Sequence, residues 1–188
     1  IIKFSIKQKI RYLTLYAFST ENWKRPKKEI NFLFKLLENF LIQNINKLQN
    51  QKIKIKIIGE KKFSKKLNKV LLDSEIKTKN NKKLQINLAL NYGSKNELVN
   101  TLKLINKNRE NISEKNVKKY LFTSDSPDPD LLIRTGNTNR LSNFMLWQLI
   151  YTEIFFIKKM WPEFTEKDFQ KIIKKFNNIN RKFGGLND

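Results

Sequence analysis

Residues Leu13–Pro26 read LTLYAFSTENWKRP, and the fold turns on this stretch. From Tyr12 to Phe18 the chain is apolar and aromatic, with the length and composition of a strand. Ser19–Arg25 is polar and ends at Pro26. Proline suits the first turn of a helix because an N–H there would have no helical partner. Ile30, Leu33, Phe34, Leu37, Leu41 and Ile45 then recur at helical spacing, which predicts a long amphipathic helix from about Lys27 to Lys47.

Downstream, Ile53, Ile55 and Ile57 alternate with lysines up to Gly59, a second strand. Phe63–Lys77 is helical in pattern. Leu84–Leu90 reads as a third strand, followed by the Asn91-Tyr92-Gly93 turn and a helix over Lys95–Asn106. Ser113 is a candidate N-cap for a short helix to Tyr120, and Pro127 and Pro129 mark a loop before a short strand, Leu131–Arg134. Ser142 is expected to cap a helix through Trp147, with a strand over Glu153–Ile157. A last helix is predicted over Thr165–Phe183, stopped by Gly184 and Gly185. Strands separated by helices imply right-handed crossovers. The expected fold is therefore α/β: a single domain with a mainly parallel sheet flanked by helices on both faces, and no internal repeat or linker.

The 188 residues contain neither cysteine nor histidine, which removes disulfides, thiol or histidine catalysis and Cys/His zinc sites from consideration. The net charge of +22 would attract nucleic acid, an anionic membrane surface or diphosphates. The excess is almost all lysine spread over the whole chain, however, which fits a solvated coat, and a basic RNA-binding protein is supported by charge alone. The arginines are few: Arg11, Arg25, Arg109, Arg134, Arg140 and Arg181. No apolar run reaches the roughly 18 residues of a membrane span, and Ile1 opens into a mixed apolar and lysine segment, so no signal peptide is expected. A cytoplasmic location, with contact at the membrane surface, is the expectation.

Two segments carry candidate chemistry. Ser19, Thr20, Glu21 and Asn22 place short polar groups where a strand ends, the crevice at which open α/β sheets bind ligands. Trp23 adds an apolar wall and Arg25 a fork of donors matched to phosphate. The plainer reading is a capping loop with a buried tryptophan. In the second segment, Arg134 and Arg140 flank a turn at Gly136, and Ser142 stands at the expected helix start. Two guanidinium groups, a hydroxyl and free helix N–H groups would hold a diphosphate, whereas surface pairing with carboxylates is the plainer alternative. Glu153 lies in an apolar stretch, where a carboxylate needs a lysine partner or a cation. On one continuous helix Ser142 and Glu153 would stand about 16 Å apart, so the chain must turn back if both serve one site. A carboxylate beside a diphosphate site points to magnesium.

Together these segments resemble the cis-prenyltransferases, in particular the bacterial isoprenyl transferases that make undecaprenyl diphosphate. The resemblance rests on Leu13–Pro26, NYGSKNELV (Asn91–Val99), IRTGNTNRLSNFMLWQ (Ile133–Gln148), YTEIFF (Tyr151–Phe156), WPEF (Trp161–Phe164) and NRKFGG (Asn180–Gly185), in family order over nearly the whole chain. It implies elongation of an allylic, farnesyl-type diphosphate by isopentenyl diphosphate units, each adding a cis double bond, with Mg2+ assisting diphosphate departure. Asn22 would match the position assigned to proton removal, acting with Ser19 and Glu21. Thr20, Trp23 and Arg25 would bind substrate, and Arg134, Arg140, Leu141 and Ser142 would hold the isopentenyl diphosphate. Glu153 would be a magnesium ligand near the interface of a homodimer, and the product would be the lipid carrier precursor of the cell wall. The long helix, from Ile30 to Ile45, would line the tunnel for the hydrocarbon.

Two departures accompany the resemblance. The family opens with a strand and an Asp-Gly-Asn-Gly-Arg-Trp loop carrying the central aspartate, whereas Ile1–Lys9 matches the helix after it. The expected fold therefore lacks the first strand and the aspartate loop, and the alternative function is a non-catalytic subunit supporting an active partner through Arg181–Gly185. Asn137-Thr138-Asn139 also replaces the usual Gly-Glu-His.

Overall fold

The computed structural model describes residues 1–184. The chain forms two compact units, Ile2–Ser126 and the residues from Pro127 onward.

The first unit is built around three parallel strands, β1 (Tyr12–Ser19), β2 (Ile53–Ile58) and β3 (Leu84–Tyr92), in the order β1-β3-β2. The β1–β2 connection is α2 (Lys27–Asn50), and the β2–β3 connection is α3 (Lys65–Thr78). Parallel neighbours require such crossovers, because the chain must return to the starting edge. β3 is central and buried almost throughout. Its Leu84, Ile86 and Leu90 enter a core with Ile53, Ile55 and Ile57 of β2, Ile30, Leu41 and Leu48 of α2, and Leu67 and Leu71 of α3. This is the apolar stripe that the helical spacing predicts, and removing it from water is the main stabilising term.

The alternate β3 residues are polar. Gln85 Nε2 donates to Asn87 Oδ1 (2.9 Å) and Ser126 Oγ (3.0 Å), and Asn87 Nδ2 reaches Thr14 Oγ1 (3.3 Å), so these buried amides are paired as burial demands. α1 (Ile2–Lys7) precedes β1. α4 (Ser94–Lys107) and α5 (Glu114–Tyr120) follow β3, and Ser113 caps α5 by accepting from Asn116 N–H, as expected.

The second unit contains a parallel pair, β4 (Leu131–Arg134) and β5 (Glu153–Phe156), followed by α6 (Glu166–Asn177). Two helix expectations fail here. No helix starts at Ser142: residues 142–147 run through bends and the start of a turn, and Ser142, Asn143 and Met145 have φ of 51°, 63° and 45°, values a right-handed helix excludes. The last helix ends at Asn177 and not at Phe183. Beyond it Arg181 is tied down, donating from Nη1 to Asp130 Oδ1 (2.7 Å) and from Nη2 to the Tyr151 carbonyl (2.9 Å), which holds this stretch out of helical geometry. Gly185, half of the expected stop signal, lies outside the described residues.

Candidate functional site

In the first unit the sequence-predicted residues gather at the C-terminal end of β1. Ser19 closes the strand, and Thr20–Lys24 forms one tight 3-10 turn before Pro26 admits α2. The Ser19 N–H donates to Asn22 Oδ1 (2.9 Å), which fixes the Asn22 amide across the turn and leaves its oxygen a second lone pair. Thr20 Oγ1 donates to Glu21 Oε2 (3.2 Å). Arg25 is exposed and donates to Glu29 one helical turn ahead (2.7 Å), so its fork is already partly engaged at the surface.

Trp23 is not the buried tryptophan of the plainer reading: it is 42% exposed. Its ring meets Phe18 and Phe34 edge-on at centroid distances of 5.2 and 5.5 Å. Its indole N–H donates to Asn91 Oδ1 at 2.7 Å. Beside it lies a cavity of about 320 Å³ walled by Trp23, Ile30, Phe34, Phe63 and Leu67, with Lys35 at the lining.

In the second unit the arrangement is built from side chains. Arg134 ends β4, and Gly136 turns the chain at φ 93°, a left-handed value at which any side chain is strained. The Gly136 N–H donates to the Lys159 carbonyl (2.9 Å), which anchors the turn. The guanidinium of Arg134 donates from Nε (3.1 Å) and Nη2 (2.9 Å) to Thr138 Oγ1, and Nη2 lies 3.5 Å from Ser142 Oγ. Arg134, Thr138 and Ser142 are thus brought together. Arg140 is exposed nearby in the chain and Leu141 is half-buried. The row of free helix N–H groups expected at Ser142 is absent because the helix is absent, so anion binding here would fall to hydroxyls and guanidinium groups. Asn137, Ser142, Asn143 and Met145 are all left-handed non-glycine residues within nine positions. Such local strain, of order 1–2 kcal/mol per residue, gathers at functional turns.

Glu153 begins β5, so the chain does turn back between Ser142 and Glu153. It does not meet Arg134, however. In the β4–β5 ladder Glu153 pairs with Leu131 and Arg134 pairs with Phe156, which sets the two backbones about 10 Å apart along the strands. Among the described residues no three Asp or Glu side chains cluster as a metal site. Magnesium ordinarily takes one or two carboxylates with phosphate oxygens and water, so Glu153 would enter such a site as a single carboxylate ligand. The sequence alone gave no role to Asn91, which in the first unit accepts from Trp23, or to Thr138, which in the second accepts from Arg134.

A profile of the prenyltransferase family described as "Putative undecaprenyl diphosphate synthase" matches residues 1–184. The chain is 45% identical to an isoprenyl transferase of Clostridium tetani, over 94% of this chain and 72% of that protein. It is 39% identical to one of Thermotoga maritima, over 98% and 82%. Among solved structures, a probable undecaprenyl diphosphate synthase from Campylobacter jejuni aligns with a TM-score of 0.91 at 38% identity, covering 97% of this chain and 89% of that one. Lavandulyl diphosphate synthase from Lavandula x intermedia, in complex with dimethylallyl diphosphate, aligns with a TM-score of 0.92 at 31% identity, covering 98% and 84%.

Proposed function

Because the chain belongs to the undecaprenyl diphosphate synthase family of cis-prenyltransferases, we propose that it joins isopentenyl diphosphate to an allylic diphosphate and repeats the step to a cis-polyprenyl diphosphate. The product we assign is undecaprenyl diphosphate, the cell-wall lipid carrier precursor. The family match runs from residue 1 to 184, and on that basis we read one domain.

The observation that carries the reading is the pair of turns themselves. Each leaves the carboxyl end of a parallel strand, where α/β sheets bind ligands, and each has its donors already oriented. Arg134, held by Thr138 and supported by Arg140, Leu141 and Ser142, would grip the isopentenyl diphosphate. Ser19, Thr20, Glu21, Trp23 and Arg25 would bind the allylic partner. The C1–O bond of the allylic diphosphate breaks, and the homoallylic double bond attacks C1 to form the new carbon–carbon bond. The C–H bond at isopentenyl C2 breaks and its electron pair becomes the new C2–C3 double bond, while Asn22 Oδ1, with its free lone pair, directs the proton to the departed diphosphate, which keeps it. Glu153 would hold magnesium, which would supply neutralisation of the departing charge. Half-buried Leu33 and Leu37 with exposed Leu36 form an apolar track on α2, and hydrocarbon burial there would draw the product inward.

Exposed Leu146, Ile150, Tyr151, Ile154 and Phe156 around Glu153 support a homodimer, since an apolar surface of this kind is ordinarily covered. No helix among the described residues is long and apolar enough to cross a membrane. We assign a cytoplasmic site of action, with the product handed to the membrane surface.

The test is incubation with farnesyl diphosphate, radiolabelled isopentenyl diphosphate and magnesium, followed by chromatography of the extracted lipid. Labelled cis-polyprenyl product is expected. A non-catalytic subunit would bind the diphosphates without incorporating label; retention of Ser19, Glu21, Asn22, Arg134 and Glu153 favours the enzyme.

A further inference from the structure

Trp23 is bonded to a residue far from it in sequence, and that residue is itself held from behind. Asn91 stands at the carboxyl end of β3, 5% exposed, with a left-handed φ of 48°. An indole nitrogen can only donate, so Asn91 must turn its oxygen to Trp23, at 2.7 Å. Its Nδ2 then donates to the Glu60 carbonyl (3.1 Å), while the Glu60 N–H donates to the Asn91 carbonyl (3.3 Å). Neither end of the amide can flip without losing both side-chain bonds. Glu60 is fixed in turn: its Oε1 accepts from Asn96 and Asn100, both at 2.7 Å and one turn apart on α4, and its Oε2 pairs with Lys62 at 2.7 Å. The Lys62 bond, then the Asn100 bond, hold this carboxyl below its usual range, so it stays ionised. Gly59 completes the clamp, since a Cβ there would stand 2.1 Å from the Leu90 carbonyl oxygen.

We propose that Asn91 is a positioning residue for the transfer reaction, fixing the Trp23 indole, and with it the adjacent Asn22, through a bridge that runs from α4 through Glu60. The bridge has a plain function. Trp23 is nearly half exposed on a short turn, and its ring contacts with Phe18, Phe34 and Phe63 are apolar, whereas the bond to Asn91 is the polar one. That bond sets the indole edge before substrate arrives, so less ordering remains to be done in the complex. The consequence for turnover rests on the transferase reading; the consequence for the indole does not.

The test is Asn91→Gly in the full chain, which removes the amide while tolerating the left-handed backbone, beside Asn91→Asp, which keeps the acceptor. The first readout is the Trp23 indole 1H–15N signal, identified by its loss in Trp23→Phe. In Asn91→Gly its hydrogen exchange should speed roughly tenfold or more, with the Trp147 and Trp161 signals unmoved, and Asn91→Asp should restore protection. The second readout is kinetic. Asn91→Gly should lower kcat by roughly ten- to a hundredfold with a smaller change in KM. Its loss should not add to that of Trp23→Phe, because both cut one bond. An unchanged Trp23 signal in Asn91→Gly overturns the proposal, as do additive losses or an unaltered kcat in an active enzyme. Should wild type bind diphosphates without turnover, the transferase reading falls while the indole result still decides the bridge.

Discussion

Arg134 donates two nitrogens to a single hydroxyl, that of Thr138, so its guanidinium is oriented before any anion arrives. Removing a preorganised cation from developing diphosphate charge costs roughly two to three orders of magnitude in rate. Arg134→Ala should therefore lower kcat/KM by that amount with folding intact, measured by label incorporation alongside a thermal melt. Thr138→Val removes only the orienting hydroxyl and should raise KM for isopentenyl diphosphate roughly five- to tenfold. At this scale the sequence singled out residues whose side-chain type and clustering announce a chemistry, such as Arg134, Asn22 and Trp23. It was not legible for Asn91 and Thr138, whose parts depend on what the fold places opposite them. Position 138 carries no acid, yet its hydroxyl is the group that holds the arginine.

Elements with strong periodicity were predictable because burial of one face dictates them. The isoleucines of β2, the apolar stripe of α2 and the aliphatic run of β3 each entered the core as their spacing required. The turn after β4 was not predictable, because its path is set by four left-handed residues and by carbonyls from the β5 exit, information that local letters do not contain. Gly59 shows the same dependence on tertiary contact. At φ 115° with Leu90 oxygen against it, Gly59→Ala should destabilise the first unit by about 3 kcal/mol or more, read as a lowered urea midpoint. The start of α6 makes a pH prediction. Hydrogen bonds from Lys159, then from the Thr165 hydroxyl and N–H, hold the Asp168 carboxyl far below the ordinary carboxylate range. A group depressed in this way stabilises the fold above its unfolded value, near 3.9, and that contribution is lost as pH falls through the lower folded value. The melting temperature should therefore fall on acidification below about pH 4 more steeply in wild type than in Asp168→Asn. Equal slopes would show that the cap is not titrating.

For the whole molecule, charge was the least informative quantity: +22, mostly lysine spread along the chain, singles out no one class of partner. Exposed apolar residues say more. Leu146, Ile150, Tyr151, Ile154 and Phe156 should bury one another across a dimer. Light scattering should then give twice the monomer mass, with Ile150→Asp shifting the population to monomer. The central claim is that the turn at Asn22 is where the allylic diphosphate binds, and Trp23 provides a direct reporter of it. In a Trp147→Phe, Trp161→Phe background, titration with an unreactive allylic diphosphate analogue should change Trp23 fluorescence saturably, and Arg25→Ala should weaken that binding roughly tenfold. No response in the parent, or an unchanged titration in Arg25→Ala, would contradict the account.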